Sequence, residues 1–113
     1  ANHTQIQQVF TDIIINAIQA MPNGGKLTIA TRPVNSSAVE IEFTDTGEGI
    51  SKENLPKIFE PFFTTREPGK GTGLGLYMIY RILQEHHGHI DVKSEVGKGT
   101  TFVITLPVAD VNT

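Results

Sequence analysis

The chain opens with apolar residues at helical spacing. In IQQVFTDIIINAIQAM, Ile6, Val9, Phe10, Ile13, Ala17 and Ile18 recur at i, i+3, i+4 and i+7, which predicts an amphipathic helix with those residues toward a core. The turn formers of PNGG, residues 22–25, end it. The period then changes to two. KLTIATR and AVEIEFTD alternate apolar and polar positions, which predicts two half-buried strands, and VNSS between them makes a hairpin. SKENLPKIF, residues 51–59, predicts a short helix with Ser51 as its N-cap and Asn54 three residues on. EPFFTTREPGKG, residues 60–71, shows little periodicity, and so long a loop in a small domain suits a lid or a binding loop.

Helical spacing returns in LGLYMIYRILQEHHG, with Leu76, Ile79, Tyr80 and Leu83 on the apolar face and Gly88 as the stop. HIDVKSE and TTFVITLPV, joined by VGKG, predict a second hairpin, and ADVNT reads as a frayed tail. Helices and hairpins thus come in separate blocks. The expected fold is α+β: a two-layer α/β sandwich whose mixed, mostly antiparallel sheet is covered on one face by about three helices.

Composition narrows the function. A chain of 113 residues suits one domain, here 1–113, and buries roughly two-thirds of its unfolded surface, enough for a core without staples. No cysteine is present, which excludes disulfides, thiolate metal sites and cysteine nucleophiles and fits a reducing, cytoplasmic compartment. No apolar run approaches the roughly 20 residues of a membrane span, so no membrane contact is expected. The net charge is −3 with no basic stripe, which argues against nucleic acid as a partner. An anion held here must be held by backbone and a few placed cations.

One loop is built for that. PGKGTGLGLYM puts four glycines within seven residues and then enters a helix. It is not a mononucleotide P-loop, because no pair of glycines five apart precedes Lys and Ser or Thr, nor a dinucleotide fingerprint, because Leu76 stands where the third glycine belongs. Its physics is similar: bare backbone at a helix N-terminus offers free N–H groups to an anion, and Arg66 and Lys70 lie in the same stretch. A flexible helix-capping linker fits the loop equally well. A second candidate is DTGEGI, where Asp45 ends a strand before Gly47 and Gly49. A carboxylate there can accept from an exocyclic amine, Gly49 lets a flat ring approach the backbone, and Ile50 offers an apolar floor. Taken alone it is also an ordinary acidic turn. The third lies on the first helix, where Gln8, Asp12 and Asn16 form a polar strip one turn apart. An amide oxygen and a carboxylate are hard donors suited to Mg²⁺, and equally a solvated helix edge.

Together these stretches resemble a known set. NAIQA, DTGEGI, FEPFFTTR, GTGLGL and GKGTTF are similar, in order, to the asparagine box, first glycine box, phenylalanine box, and second and third glycine boxes of the sensor histidine kinase catalytic and ATP-binding domain. That domain belongs to the Bergerat-fold superfamily shared with type II topoisomerases, heat-shock chaperones and mismatch-repair ATPases. The resemblance runs from about Thr4 to Pro107. It implies ATP and Mg²⁺ as cofactors, with Asn16 as the metal ligand. Asp45 would take the adenine amine, with Thr100 supporting it through water, and Gly47, Gly49 and Ile50 would shape the pocket. Phe59, Phe62 and Phe63 would anchor the lid, and Arg66 would approach the terminal phosphate. Gly71, Gly73, Leu74, Gly75 and Leu76 would wrap the phosphates, largely through backbone, with Lys70 and Thr72 in the same cofactor-binding stretch. Asn16, Arg66 and Asp12 are the expected catalytic set.

There are departures. Asp12 stands where the family often has a second Asn, Gln19 where it often has a cation, and HGH at 87–89 where it has HGG. The short lid is similar to that of nitrogen-regulator-type kinases. The expected reaction is transfer of the γ-phosphate to a histidine of a separate dimerisation domain, with a response regulator downstream. His3, His86, His87 and His89 match no acceptor motif and read as surface or helix-end residues. The acceptor and sensor domains and a first strand before Thr4 are therefore expected outside this chain, and the isolated domain is expected to be a monomer. An ATPase or anti-sigma-type serine kinase of the same superfamily, and a nucleotide-sensing module without catalysis, remain as alternatives.

Overall fold

The computed structural model describes residues 3–61 and 75–107. The chain runs α1 (His3–Gln19), β1 (Leu27–Asn35), β2 (Ala38–Asp45), α2 (Gly75–Glu85), β3 (His89–Glu95) and β4 (Gly99–Pro107), with a single 3₁₀ turn at Leu55–Lys57 before α2. The four strands form one sheet in the order β1-β2-β4-β3, and every described pairing is antiparallel, where a mixed sheet was expected. Two hairpins joined through their second strands make this order, and each β-turn sits where Asn, Ser and Gly allow it. In the first, Asn35 Oδ1 accepts the Ser37 N–H at 2.8 Å.

Register builds the core. Ile41, Ile104 and Ile90 face one another across β2, β4 and β3, and Phe43, Phe102 and Val92 form the next row. Because side chains alternate along a strand, all six point to one face. Val9, Ile13, Ile79 and Leu83 close over that face from α1 and α2. The opposite face is polar. Arg32 reaches Glu40 and Glu42 across the hairpin, both at 3.0 Å, and the Thr44 and Thr101 hydroxyls meet at 3.2 Å.

Several expectations change. The third helix is absent among the described residues: Pro56 has no N–H to give a helical ladder, so residues 51–59 fold as turns and one 3₁₀ turn. Ser51 still accepts the Asn54 N–H, at 3.3 Å, but it caps a turn. Ile18, expected in the core, is 60% exposed, since α1 buries the line Ile6–Val9–Ile13–Ala17 and Ile18 lies off it. Tyr80 is 38% exposed and lays its ring on Phe59, centroids 5.7 Å apart. His86 stands at the end of α2 as a helix-end residue, but buried, its Nδ1–H donating to the Ile82 carbonyl at 2.8 Å.

Candidate functional site

The inward face of the sheet turns polar at one end. One step beyond the phenylalanine row, β2 carries Asp45, β4 carries Thr100 and β3 carries Ser94, in mutual register. Burial continues across the change: Asp45 is 4% and Thr100 6% exposed. A buried carboxylate needs donors to offset its desolvation. Asp45 Oδ1 accepts the Gly47 N–H at 2.9 Å and the Thr100 N–H at 3.2 Å. Among the described residues Oδ2 takes no protein donor, and no buried polar side-chain atom is left without a partner. Oδ2 is therefore the oxygen that remains open to an incoming N–H.

The turn after Asp45 is held on three sides. On the first, Lys26 N–H donates to Thr46 Oγ1 at 2.9 Å while Thr46 N–H donates to the Lys26 carbonyl at 3.2 Å. On the second, the Glu48 N–H donates to the Ala20 carbonyl at 3.1 Å, just past the end of α1. On the third, the Glu48 carbonyl accepts the Gly97 N–H at 2.9 Å and Ser94 Oγ accepts the Ile50 N–H at 2.7 Å. This packing needs glycine. A Cβ at Gly47 would stand 2.5 Å from the Ala20 carbonyl oxygen. Gly49 has φ +78°, in the left-handed region, and a Cβ there would collide with the Glu95 carbonyl and lie 2.9 Å from Val96 Cα. Ile50, just beyond, is half-buried and packs against the core.

The same contacts bring the metal candidate to the turn. Asn16 lies one helical turn before Ala20, whose N–H bonds the Asn16 carbonyl at 3.0 Å and whose carbonyl receives Glu48. Asn16 is half-buried, and one turn earlier Asp12 accepts the Gln8 side-chain amide on Oδ1 at 2.7 Å. Among the described residues no three His, Cys, Asp or Glu side chains gather into a metal site. The donors present are one amide and one carboxylate. That set fits Mg²⁺, which keeps water and phosphate oxygens as most of its ligands, better than a cation needing an all-protein cage.

Phe59 is half-buried against the core and carries the Tyr80 ring. Gly75 opens α2 and Leu76 packs on the core. Phe62, Phe63, Arg66, Lys70, Gly71, Thr72, Gly73 and Leu74 lie outside the described residues. Ser94 is the site residue that reading the motifs missed. Its signal was its place at an inward position of an alternating strand, where a hydroxyl needs a partner.

Known proteins resemble this chain in sequence and in fold. Residues 1–110 match the family described as histidine kinase-, DNA gyrase B-, and HSP90-like ATPase. The sensor kinase CckA of Brucella abortus is 48% identical over 117 residues, covering 91% of this chain and 12% of its own length. Sporulation kinase E of Bacillus subtilis is 47% identical over 104 residues, covering 92% of this chain and 14% of its own. The chain thus spans a small part of the relatives it matches. Among solved structures, the mycobacterial sensor histidine kinase MprB superposes with a TM-score of 0.84 at 25% identity, covering 95% of this chain and 72% of that one. The catalytic domain of histidine kinase ThkA in a nucleotide-free form gives 0.81 at 36% identity, covering 95% and 69%. With the motif order, the buried Asp45 and this similarity in agreement, the chain belongs to the histidine kinase-, DNA gyrase B-, and HSP90-like ATPase family, as an ATP-binding catalytic domain of the histidine kinase type.

Proposed function

We propose that this domain, 1–113, binds Mg²⁺·ATP and presents the γ-phosphate to a histidine on a separate dimerisation and phosphoacceptor domain, in the cytoplasm, for onward passage to a response regulator. The observation that supports it most is Asp45. A buried carboxylate with one oxygen tied to backbone and the other without a protein donor is matched to an exocyclic amine, and the half-buried Ile50 lies a few residues on, in the turn that follows. In this reading Asp45 takes the adenine amine, with Thr100 supporting it through water, and Gly47, Gly49 and Ile50 shape the pocket. Asn16 holds Mg²⁺, with Asp12 one turn away, and Arg66, Lys70 and the run from Gly71 to Leu76 take the phosphates. Mg²⁺, when bound, supplies charge neutralisation at the phosphate oxygens.

The chain's own work is positioning and electrostatics, which carry most of phosphoryl transfer. The base that frees the acceptor nitrogen belongs to the partner domain. With Gln19 in place of a cation, more of the phosphate charge falls to Arg66 and Lys70. Calorimetry with a non-hydrolysable ATP analogue, with and without Mg²⁺, tests the binding half. Micromolar to millimolar affinity is expected, weakened in its Mg²⁺-dependent part by Asn16→Ala, and no affinity at millimolar ligand refutes the reading. Adding a histidine-bearing acceptor domain and measuring acid-labile phosphate tests the transfer. Binding without transfer to a cognate acceptor would make the domain a nucleotide sensor instead.

A further inference from the structure

Gly25 is confined by its neighbours and not by its backbone conformation. It has no positive φ, unlike Gly24 before it. Yet an added Cβ would stand 2.5 Å from Met21 Sδ, 3.1 Å from Met21 Cγ and 2.8 Å from Thr46 Oγ1. The bare α-carbon lets a thioether and a hydroxyl meet over it. Thr46 Oγ1 accepts the Lys26 N–H at 2.9 Å, and that N–H can only donate. The Thr46 proton therefore goes to Met21 Sδ, an acceptor only, at 3.6 Å, which the larger sulfur atom allows. Met21 is half-buried, and its own N–H donates to the Ile18 carbonyl at 3.0 Å, so it belongs to the turn that closes α1. Its side chain thus ties the end of the helix that carries Asn16 to Thr46, the residue after Asp45. The Glu48 N–H to Ala20 carbonyl bond, at 3.1 Å, is a second tie between the same two segments.

We infer that Met21 is a positioning residue: with Thr46 and Gly25 it braces the end of α1, and so Asn16, against the turn after Asp45. The inference rests on the nucleotide reading above, in which Asp45 takes the base and Asn16 the Mg²⁺ that accompanies the phosphates. One ligand gains from two sites only while their separation matches it. A loosened brace leaves each contact possible and lowers the chance that both are made together. The brace therefore adds little to binding at the base end alone and shows in the part of the affinity that Mg²⁺ contributes. Gly25 gives a clean way to disturb it. The atoms an added methyl would meet first belong to two side chains, and the thioether is flexible, so the methyl pushes Met21 off Thr46 without moving backbone.

The test measures affinity for a non-hydrolysable ATP analogue by calorimetry, once with Mg²⁺ and once with a chelator. It uses the whole chain as wild type, Met21→Ala, Gly25→Ala, Thr46→Ser and the double variant of Met21→Ala with Gly25→Ala, with urea unfolding alongside. The wild type should bind more tightly with Mg²⁺. Met21→Ala and Gly25→Ala should each cut that gain about fivefold, corresponding to about 1 kcal/mol, and leave the affinity in chelator within about twofold. The double variant should lose no more than Met21→Ala, because Gly25 acts through Met21. Thr46→Ser, which keeps the hydroxyl, should keep the wild-type gain, and the urea midpoint of Gly25→Ala should hold within about 0.5 M. Equal loss with and without Mg²⁺, an unmoved gain in either single variant, additive loss in the double variant or a loss in Thr46→Ser would overturn the inference. A second measurement needs no variant: in the wild type the Met21 γ-protons should show a nuclear Overhauser contact to the Gly25 α-protons. Its absence overturns the brace even if Met21→Ala does not fold. If the wild type binds no analogue, or binds it equally with and without Mg²⁺, the nucleotide reading falls and the role of Met21 with it. A wild-type gain that the variants leave unmoved overturns the role of Met21 alone.

Discussion

Replacing Gly49 by alanine separates two costs that the glycine-walled turn combines. The first is conformational: φ is +78°, and an alanine held there costs roughly 1–2 kcal/mol. The second is steric. The new Cβ would collide with the Glu95 carbonyl and stand 2.8 Å from the Glu95 carbonyl carbon and 2.9 Å from Val96 Cα. These are backbone atoms of the β3–β4 hairpin, so no rotamer change relieves the contact. If the turn stays, the overpacking costs about 1–3 kcal/mol. If it lifts, the Gly97 N–H to Glu48 carbonyl bond and the Ile50 N–H to Ser94 bond go with it, at about 1 kcal/mol each. Both routes lead to about 2 kcal/mol beyond the conformational cost.

Gly24→Ala is the control. Gly24 has φ +92° and nothing within 4 Å of the place an added methyl would take, so it carries the conformational cost alone. Urea unfolding should place Gly49→Ala below Gly24→Ala by about 2 kcal/mol, which at a slope of roughly 1–2 kcal/mol per molar moves the midpoint by about 1–2 M. Nucleotide affinity should fall with Gly49→Ala, because the turn that carries Ile50 moves. Equal losses of stability in the two variants would refute the claim that this turn is wedged against the hairpin.

Two further outcomes are expected. Asp45→Asn keeps an oxygen for the Gly47 and Thr100 N–H groups but turns an amide donor toward the open side, so ATP affinity should fall by about 100-fold in calorimetry while stability falls by about 1 kcal/mol. Ile13→Ala, at a fully buried position, should cost about 2–5 kcal/mol in denaturant unfolding, and Ile18→Ala, 60% exposed, within about 0.5 kcal/mol.

The contrast between Ile13 and Ile18 marks how far periodicity reaches. Both fit a helical apolar face, but a helix on a sheet buries a stripe, and the neighbours decide how wide it is. Ile29 makes the same point on β1. It lies on the inward face beside Phe43, yet it is 49% exposed because α1 and α2 lie over the other strands. Strand bounds were more legible: AVEIEFTD and HIDVKSE are β2 and β3 residue for residue. Short alternating runs between Gly and Asn turns leave a chain few other registers. The stop of α2 was legible in place but not in cause. His87 takes the left-handed conformation, φ 58°, and Gly88 is needed because a Cβ would press on Leu106 and the Thr105 carbonyl.

The candidate site was legible where its residues are chemically loud and hidden where they are quiet. Asp45 stands out beside two glycines, and Asn16 is unusual inside a helix. Ser94 in DVKSE has no such contrast, and no spacing in the chain ties it to Asp45. What ties them is register: two hairpins joined through β2 and β4 put positions 45, 100 and 94 in one row. The same alternation that builds the apolar core delivers those three side chains to the inner face, one step past Phe43, Phe102 and Val92. Core and site are therefore one pattern read to its end. The dry rows fix the register, and the register brings a buried carboxylate, a buried hydroxyl and a half-buried one together. A one-residue slip of β4 against β2 would turn Thr100 outward together with Phe102 and Ile104, so the packing that stabilises the sheet also protects the geometry of the site.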